Sequence, residues 1–110
     1  MAYDYQLLEV EISGRIARVT INNPPINIIT PALYQELVSL VAELKDDDAL
    51  TVIVFKSADP DFFLAHYDVS NILTFPTEGE AERNLELSDF HIMCERVRTM
   101  NKVTIAQIEG

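Results

Sequence analysis

The sequence predicts an α/β fold, with a mostly parallel sheet that follows an N-terminal antiparallel hairpin. Short stretches rich in β-branched residues, at 5–12, 15–21, 52–55 and 102–108, are typical of strands. Two other stretches carry apolar residues at three- and four-residue steps, which is typical of amphipathic helices. The order is strand, strand, helix, strand, loop, helix, strand. Strands that alternate with helices favour right-handed crossovers and parallel pairing.

Composition limits the classes of protein. The chain has 110 residues, enough for one small domain, and a formal net charge of −10. That charge disfavours a nucleic-acid backbone or an anionic membrane surface as partner. The first residues lack the basic region of a signal peptide, and no apolar run approaches the roughly 18 residues of a membrane helix. A single cysteine, Cys94, leaves no disulfide framework and favours a reducing cytoplasm. We therefore expect a cytoplasmic protein without a nucleic-acid or membrane partner.

The first two strands are predicted at 5–12 and 15–21. A Ser-Gly turn at Ser13 and Gly14 joins them, which favours an antiparallel hairpin. In the second strand, Ala17, Val19 and Ile21 share one face, and Ile16, Arg18 and Thr20 share the other.

The first helix is predicted to begin after the proline-containing connection at 22–29. Thr30 is a strong N-cap, and Pro31 suits the first helical position. The apolar stripe that should face the core comprises Leu33, Leu37, Leu40, Val41 and Leu44. The helix should end near Lys45, before three aspartates. Residues 46–48 lack the ligand spacing and glycine of a calcium loop, so a solvated turn is favoured over a metal site.

The stretch 51–69 organises the chain. It predicts a strand, a turn at 57–61, a non-helical apolar segment at 62–67, and then Asp68 as the cap of one short helical turn. A loop between a strand and a helix start is a common ligand position, and the free N–H groups there can hold an anion or a developing oxyanion. The alternative is that Phe62, Phe63 and Leu64 simply fill the core.

The last third predicts a long helix and a final strand. Thr77 and Glu80 have capping-box spacing, and the helix should run to about residue 101. Its apolar stripe comprises Leu87, Phe90, Cys94, Val97 and Met100, widened by Ile92 and Met93. Cys94 is therefore expected to be a small buried hydrophobe, and His91 a surface residue. The final strand, at 102–108, has no element after it, which suggests a single incomplete α/β domain over 1–110.

Four segments, taken together and in order, resemble the enoyl-CoA hydratase/isomerase (crotonase) superfamily. They are ARVTINNP at 17–24, similar to a strand that ends in N-x-P; Asn27 with the following helix; FLAHYDV at 63–69, similar to F-x-A-G-x-D-(L/I); and NKVTIAQIEG at 101–110, similar to K-P-x-I-A-x-(V/I)-x-G. Each motif is weak alone. Their order and spacing across nearly the whole chain make the resemblance fairly specific.

The resemblance implies the N-terminal part of a spiral of ββα units that binds acyl-CoA thioesters. The implied activity is that of a lyase or isomerase of fatty-acid metabolism, in which two backbone N–H groups form an oxyanion hole and stabilise an enolate. Coenzyme A would be part of the substrate, so no separate cofactor or metal is implied. A homo-oligomer, a trimer or a hexamer, is also implied. The alternative is a non-catalytic acyl-CoA-binding or assembly subunit of the same fold.

The same resemblance implies particular site residues. The N–H of Tyr67 corresponds to the first oxyanion donor. The residues that match segments lining coenzyme A are Ile26, Asn27, Ile28, Ala65, His66 and Asp68.

The chain departs from the family pattern at two positions. His66 stands where the family usually has glycine. Glycine permits a positive φ, and histidine adopts one only at some cost. Val103 replaces the proline of the last strand. The second oxyanion donor and the catalytic carboxylates of the family correspond to positions after Gly110, so this chain alone is expected to be inactive.

Overall fold

The computed structural model describes residues 3–74, 78–79 and 88–110. Within those ranges the elements follow the predicted order. The strands are β1 (Leu8–Ser13), β2 (Ile16–Ile21), β3 (Val52–Ser57) and β4 (Val103–Ala106). The helices are α1 (Pro31–Asp46) and α2 (Asp89–Thr99), and a 3-10 helix spans Val69–Thr74.

The four strands form one mixed sheet in the order β1-β2-β3-β4. β1 and β2 are antiparallel, whereas β2 with β3 and β3 with β4 are parallel, which confirms the predicted fold class. Gly14 has φ +60° in the hairpin link, a conformation that glycine adopts at little cost. β1 begins later than predicted because the N–H groups of Gln6 and Leu7 donate to the Glu36 carboxylate of α1.

The core lies between one face of this sheet and α1. Ala17, Val19 and Ile21, which share one face of β2, are buried, and Ile53 joins them from β3. α1 presents its whole predicted stripe to the core: Leu33, Leu37, Leu40, Val41 and Leu44 are all buried. Thr30 caps the helix, because its hydroxyl oxygen accepts a hydrogen bond of 3.2 Å from the Leu33 N–H.

The prediction of one long helix running through residue 88 is wrong. Ser88 is extended, with φ −68° and ψ 164°, and its hydroxyl accepts a hydrogen bond from the His91 N–H, so α2 begins at Asp89. The predicted cap at Thr77 and Glu80, and the stripe residue Leu87, lie outside the described residues.

The prediction that Cys94 is buried is also wrong. Cys94 is exposed, and no residue within α2 is buried. α2 approaches the core through Met93 and Val97, which are half-buried. Phe90 and Cys94, which lie beside that contact on α2, remain exposed. His91 is exposed, which confirms its predicted surface position.

Candidate functional site

The loop that contains Tyr67 lies beside the segment that precedes α1. Ile29 and Tyr67 form an isolated parallel bridge. The Ile29 N–H donates to the His66 carbonyl at 2.8 Å, and the Asp68 N–H donates to the Ile29 carbonyl at 2.9 Å. In a parallel bridge of this kind the residue between the two bonds directs its own N–H away from the partner strand. No described residue accepts a hydrogen bond from the Tyr67 N–H.

The Tyr67 side chain and carbonyl are held by neighbouring groups. The Asn71 amide donates to the Tyr67 phenol oxygen at 2.8 Å. His66 Nδ1 lies 2.7 Å from the Tyr67 carbonyl oxygen, and a carbonyl can only accept, so this contact requires the proton on Nδ1. These contacts fix the orientation of the peptide and ring around the unpaired N–H.

His66 does not need the conformational freedom of the glycine that the family pattern has there. Among the described residues, the only non-glycine residues with positive φ are Tyr3 and Asn27. His66 therefore does not bear the cost that histidine has at positive φ. Its side chain is exposed beside the loop.

The buried Asn27 side chain connects the segments of the predicted site through hydrogen bonds. It is 2% exposed and has φ +56°, which asparagine tolerates better than most residues. Its amide nitrogen lies 2.6 Å from Ser57 Oγ, 3.1 Å from the Phe63 carbonyl and 3.3 Å from the Ile21 carbonyl. Its side-chain oxygen accepts from the Asn23 N–H at 2.7 Å. One buried side chain thus joins the ends of β2 and β3 to the loop.

The remaining predicted residues lie on the same two segments. The Ala65 N–H donates to the Asn27 carbonyl at 3.4 Å, and the Ile28 carbonyl accepts from the Asn23 side chain at 2.8 Å. Asp68 accepts at 3.0 Å from the Ser70 N–H, so it caps the 3-10 helix as predicted. The structure therefore brings segments 26–28 and 65–68 side by side.

A cleft of about 510 Å³ opens beside the Tyr67 ring. The described residues that line it are Tyr34, Tyr67, Ser88, Asp89 and Phe90. Sequence reasoning missed four of these five as site residues: Tyr34, Ser88, Asp89 and Phe90. The Ser-Asp pair is a typical helix start, and that signal could have located the end of α2 at the cleft.

Three aromatic rings form one side of the cleft. The Tyr34 and Tyr67 rings meet edge to face, with centroids 6.5 Å apart and planes at 80°. The Tyr34 and Phe90 rings are nearly parallel, with centroids 6.3 Å apart and planes at 22°. Burial raises the pKa of the Tyr34 phenol, and the negative charge of Asp89 raises that pKa further. The phenol therefore stays protonated and remains a hydrogen-bond donor.

The described ranges contain neither a metal-holding group of side chains nor a membrane-spanning helix. No three or more His, Cys, Asp and Glu side chains within 3–74, 78–79 and 88–110 are grouped so that they could hold a metal ion. No helix in this part of the chain combines the length and the apolar character that crossing a membrane requires.

The mixed sheet and its helices have the fold of the crotonase superfamily. The model of the family described as enoyl-CoA hydratase/isomerase matches residues 11–110. The chain therefore belongs to the enoyl-CoA hydratase/isomerase family.

Solved structures agree with this assignment. A protein from Streptomyces avermitilis, provisionally assigned as an enoyl-CoA hydratase, is 33% identical, with a TM-score of 0.73 over 94% of this chain and 38% of its own. DspI from Pseudomonas aeruginosa is 27% identical, with a TM-score of 0.71 over 100% of this chain and 44% of its own. An enoyl-CoA hydratase from Bacillus anthracis is 19% identical, with a TM-score of 0.75 over 96% and 40%, and shows the shared fold alone.

The chain spans about two fifths of the length of these solved structures. A comparison with curated proteins found no match.

Proposed function

We propose that the protein acts on an acyl-CoA thioester and that the Tyr67 N–H is one donor of its oxyanion hole. The observation that carries this proposal is the unpaired N–H of Tyr67, beside a cleft that the same residue lines. Family membership supports it, since the family is described as enoyl-CoA hydratase/isomerase.

The chemistry follows from where charge develops. Removal of a proton next to a thioester carbonyl moves negative charge onto the carbonyl oxygen. An N–H that already points at this oxygen stabilises the enolate without reorganisation, and one such donor is typically worth about 3–4 kcal/mol. Tyr67 suits this task because the bonds of Ile29 to His66 and Asp68 hold the peptide on both sides.

The nucleotide portion of coenzyme A would lie along the paired segments. We assign the contacts to Ile26, Asn27 and Ile28 on one side, and to Ala65, His66 and Asp68 on the other. Their adjacency supports the assignment, and His66 is exposed and able to reach a ligand. The buried Asn27 amide would hold the two segments in position.

The second donor and the acid–base carboxylates are proposed to belong to sequence after Gly110. The support is the family resemblance, together with the two fifths of related structures that this chain spans. A hydratase or isomerase reaction would then require the longer protein, without a separate cofactor. The 110 residues alone would turn over little substrate, because loss of one donor costs roughly a hundred- to a thousandfold.

The proposed assembly is a homo-oligomer. Large apolar side chains that the described fold leaves exposed outside the cleft support it; they include Ile92, Val103, Ile105 and Ile108. The same surface favours a second candidate function, a non-catalytic assembly subunit. Sedimentation velocity would test both, and a strictly monomeric particle would contradict them.

Two substitutions at Tyr67 test the oxyanion role. Tyr67→Ala removes the ring, with its hydrogen bond from Asn71, and keeps the N–H. Tyr67→Pro removes the ring and also the N–H, which donates to no described residue. We expect Tyr67→Pro to lower turnover by a chain extended past Gly110 about a hundred- to a thousandfold relative to Tyr67→Ala. Loss of the conjugated thioester absorbance measures the rate.

The control is the 110-residue chain in the same assay. Equal turnover by the short and extended chains would show that the catalytic groups lie within these residues. Equal rates for the proline and alanine variants, with both folded by circular dichroism, would refute the oxyanion assignment.

A further inference from the structure

The cleft beside Tyr67 is lined by three aromatic residues, Tyr34, Tyr67 and Phe90, and by the carboxylate of Asp89. We propose that it takes the acyl group of a hydroxyaryl thioester, and that Asp89 is the residue that selects the hydroxyl. This inference rests on the proposed acyl-CoA function and specifies its substrate class. It follows from the aromatic rings, the charge and the volume of the cleft.

The rings favour an aromatic guest over an alkyl chain. Tyr34 lies between Tyr67 and Phe90, edge-on to the first and nearly parallel to the second. These three rings therefore offer both ring faces and ring edges to a bound group. Aromatic pairs in such arrangements gain attraction beyond the area they bury, equivalent to about two- to tenfold in affinity, whereas an alkyl chain gains the burial term alone.

Phe90 is available for such contact. It is 46% exposed although it carries a large apolar ring. Its contact with Tyr34 uses one side of the ring, and a guest ring in the cleft would cover more of it.

The charge in the cleft favours a hydrogen-bond donor. Asp89 is the one charged residue among the described residues that line it. A carboxylate at neutral pH only accepts hydrogen bonds, so it would attract a hydroxyl and repel an anionic acyl group. The other small polar group, the Ser88 hydroxyl, is already engaged by His91 Nδ1 at 2.7 Å. The Tyr34 phenol also lines the cleft, but it is neutral, so the Asp89 carboxylate is the stronger acceptor for a ligand hydroxyl.

The volume admits such a group. About 510 Å³ lies within the range of roughly 300–1,000 Å³ that is usual for small-molecule sites. Tyr67 contributes its ring to this cleft and its N–H to the proposed oxyanion hole. A thioester carbonyl held at Tyr67 would therefore place its acyl group next to the cleft.

Binding of saturated CoA thioesters, which cannot react, tests the inference on the 110-residue chain. Isothermal titration calorimetry would compare 3-(4-hydroxyphenyl)propanoyl-CoA, 3-phenylpropanoyl-CoA, octanoyl-CoA and coenzyme A alone. We expect affinity to fall in that order, with about tenfold for the hydroxyl, a charge-assisted hydrogen bond, and two- to tenfold for the ring.

Asp89→Asn should remove most of the preference for 3-(4-hydroxyphenyl)propanoyl-CoA over 3-phenylpropanoyl-CoA. Phe90→Leu keeps an apolar side chain and should reduce the preference for phenyl over octanoyl. Glu95→Gln removes the same unit charge from an exposed position of α2 outside the cleft, and should change neither preference.

The outcomes separate the two proposals. Equal affinity for the three thioesters, all tighter than coenzyme A alone, would overturn the hydroxyaryl assignment and leave the acyl-CoA function standing. Absence of binding by every thioester, to the 110-residue chain and to the chain extended past Gly110, would overturn both. A hydroxyl preference that survives in Asp89→Asn would overturn the role of Asp89.

Discussion

Helices α1 and α2 have similar sequence patterns, but they differ in how many of their apolar residues are buried. Each begins behind a hydroxyl cap, Thr30 for α1 and Ser88 for α2, and each carries apolar residues at three- and four-residue steps. Yet α1 buries its complete stripe, whereas α2 buries none of its residues. Leu40 of α1 is 0% exposed and Phe90 of α2 is 46% exposed. A periodic pattern specifies which face of a helix is apolar, but not what covers that face.

The sheet explains the difference. α1 covers the sheet face that carries Ala17, Val19 and Ile53, and all three are fully buried. β4, which follows α2, is an edge strand, and its Val103 and Ile105 are 56% and 45% exposed. Parallel sheets normally have both faces covered. The region from β1 to β3 therefore has a closed core, whereas α2 and β4 lie at an open edge.

The largest test of this comparison truncates one apolar residue in each helix. Leu40→Ala should lower the free energy of unfolding by about 2–5 kcal/mol, because it leaves a cavity in a closed core. Phe90→Ala should cost far less, since its ring is half-exposed. Urea denaturation with linear extrapolation measures both. Equal losses would mean that association buries the α2 face in solution, and sedimentation of Phe90→Ala would then show dissociation.

A second test concerns the junction between the closed region and the site loop. Asn27→Ala should cost roughly 1–3 kcal/mol, because it leaves the Asn23 N–H and the Phe63 carbonyl without their buried partner. Asn22→Ala is the matched control, since Asn22 is exposed and only its backbone N–H bonds, to the Leu7 carbonyl. Chemical denaturation gives the loss, and amide exchange at 62–67 should quicken in Asn27→Ala alone. An unchanged amide exchange rate at 62–67 in Asn27→Ala would show that other contacts hold the loop.

The smallest effect is expected from pH, at the corner where the N-terminal segment meets α1. Tyr3 donates to Asp47 at 2.5 Å, and this bond is the main cause that lowers the pKa of the Asp47 carboxyl. Because the folded pKa lies below the ordinary 3.8, the contribution is present above that value and is lost as pH falls through the folded pKa.

The denaturation midpoint should therefore fall on acidification, and Tyr3→Phe should weaken that dependence. Arg98→Gln supplies the comparison at the open edge, because Arg98 lowers the pKa of Glu95 in the same direction. An identical pH profile for Tyr3→Phe and the parent chain would exclude a contribution from the Tyr3–Asp47 bond.

Local patterns were sufficient for much of the fold. The hairpin, α1 with its Thr30 cap, and β3 were all predictable, since alternation, capping and turn chemistry act between residues close in the chain. The order of four short motifs was sufficient for the family. Tyr67 was assigned through one of those motifs, and its role as a donor remains a prediction.

Tertiary structure decided what depends on distant partners. The Ile29–Tyr67 bridge directs the Tyr67 N–H away from the segment that contains Ile29, and Asn27 joins β2, β3 and the loop through one buried amide. Cys94 belongs to an apolar stripe in the sequence but is exposed, because α2 faces the core through Met93 and Val97. Periodicity records which residues share a face of a helix. The elements that meet that face come from elsewhere in the chain, so only the folded arrangement determines which faces are buried and which groups are left free.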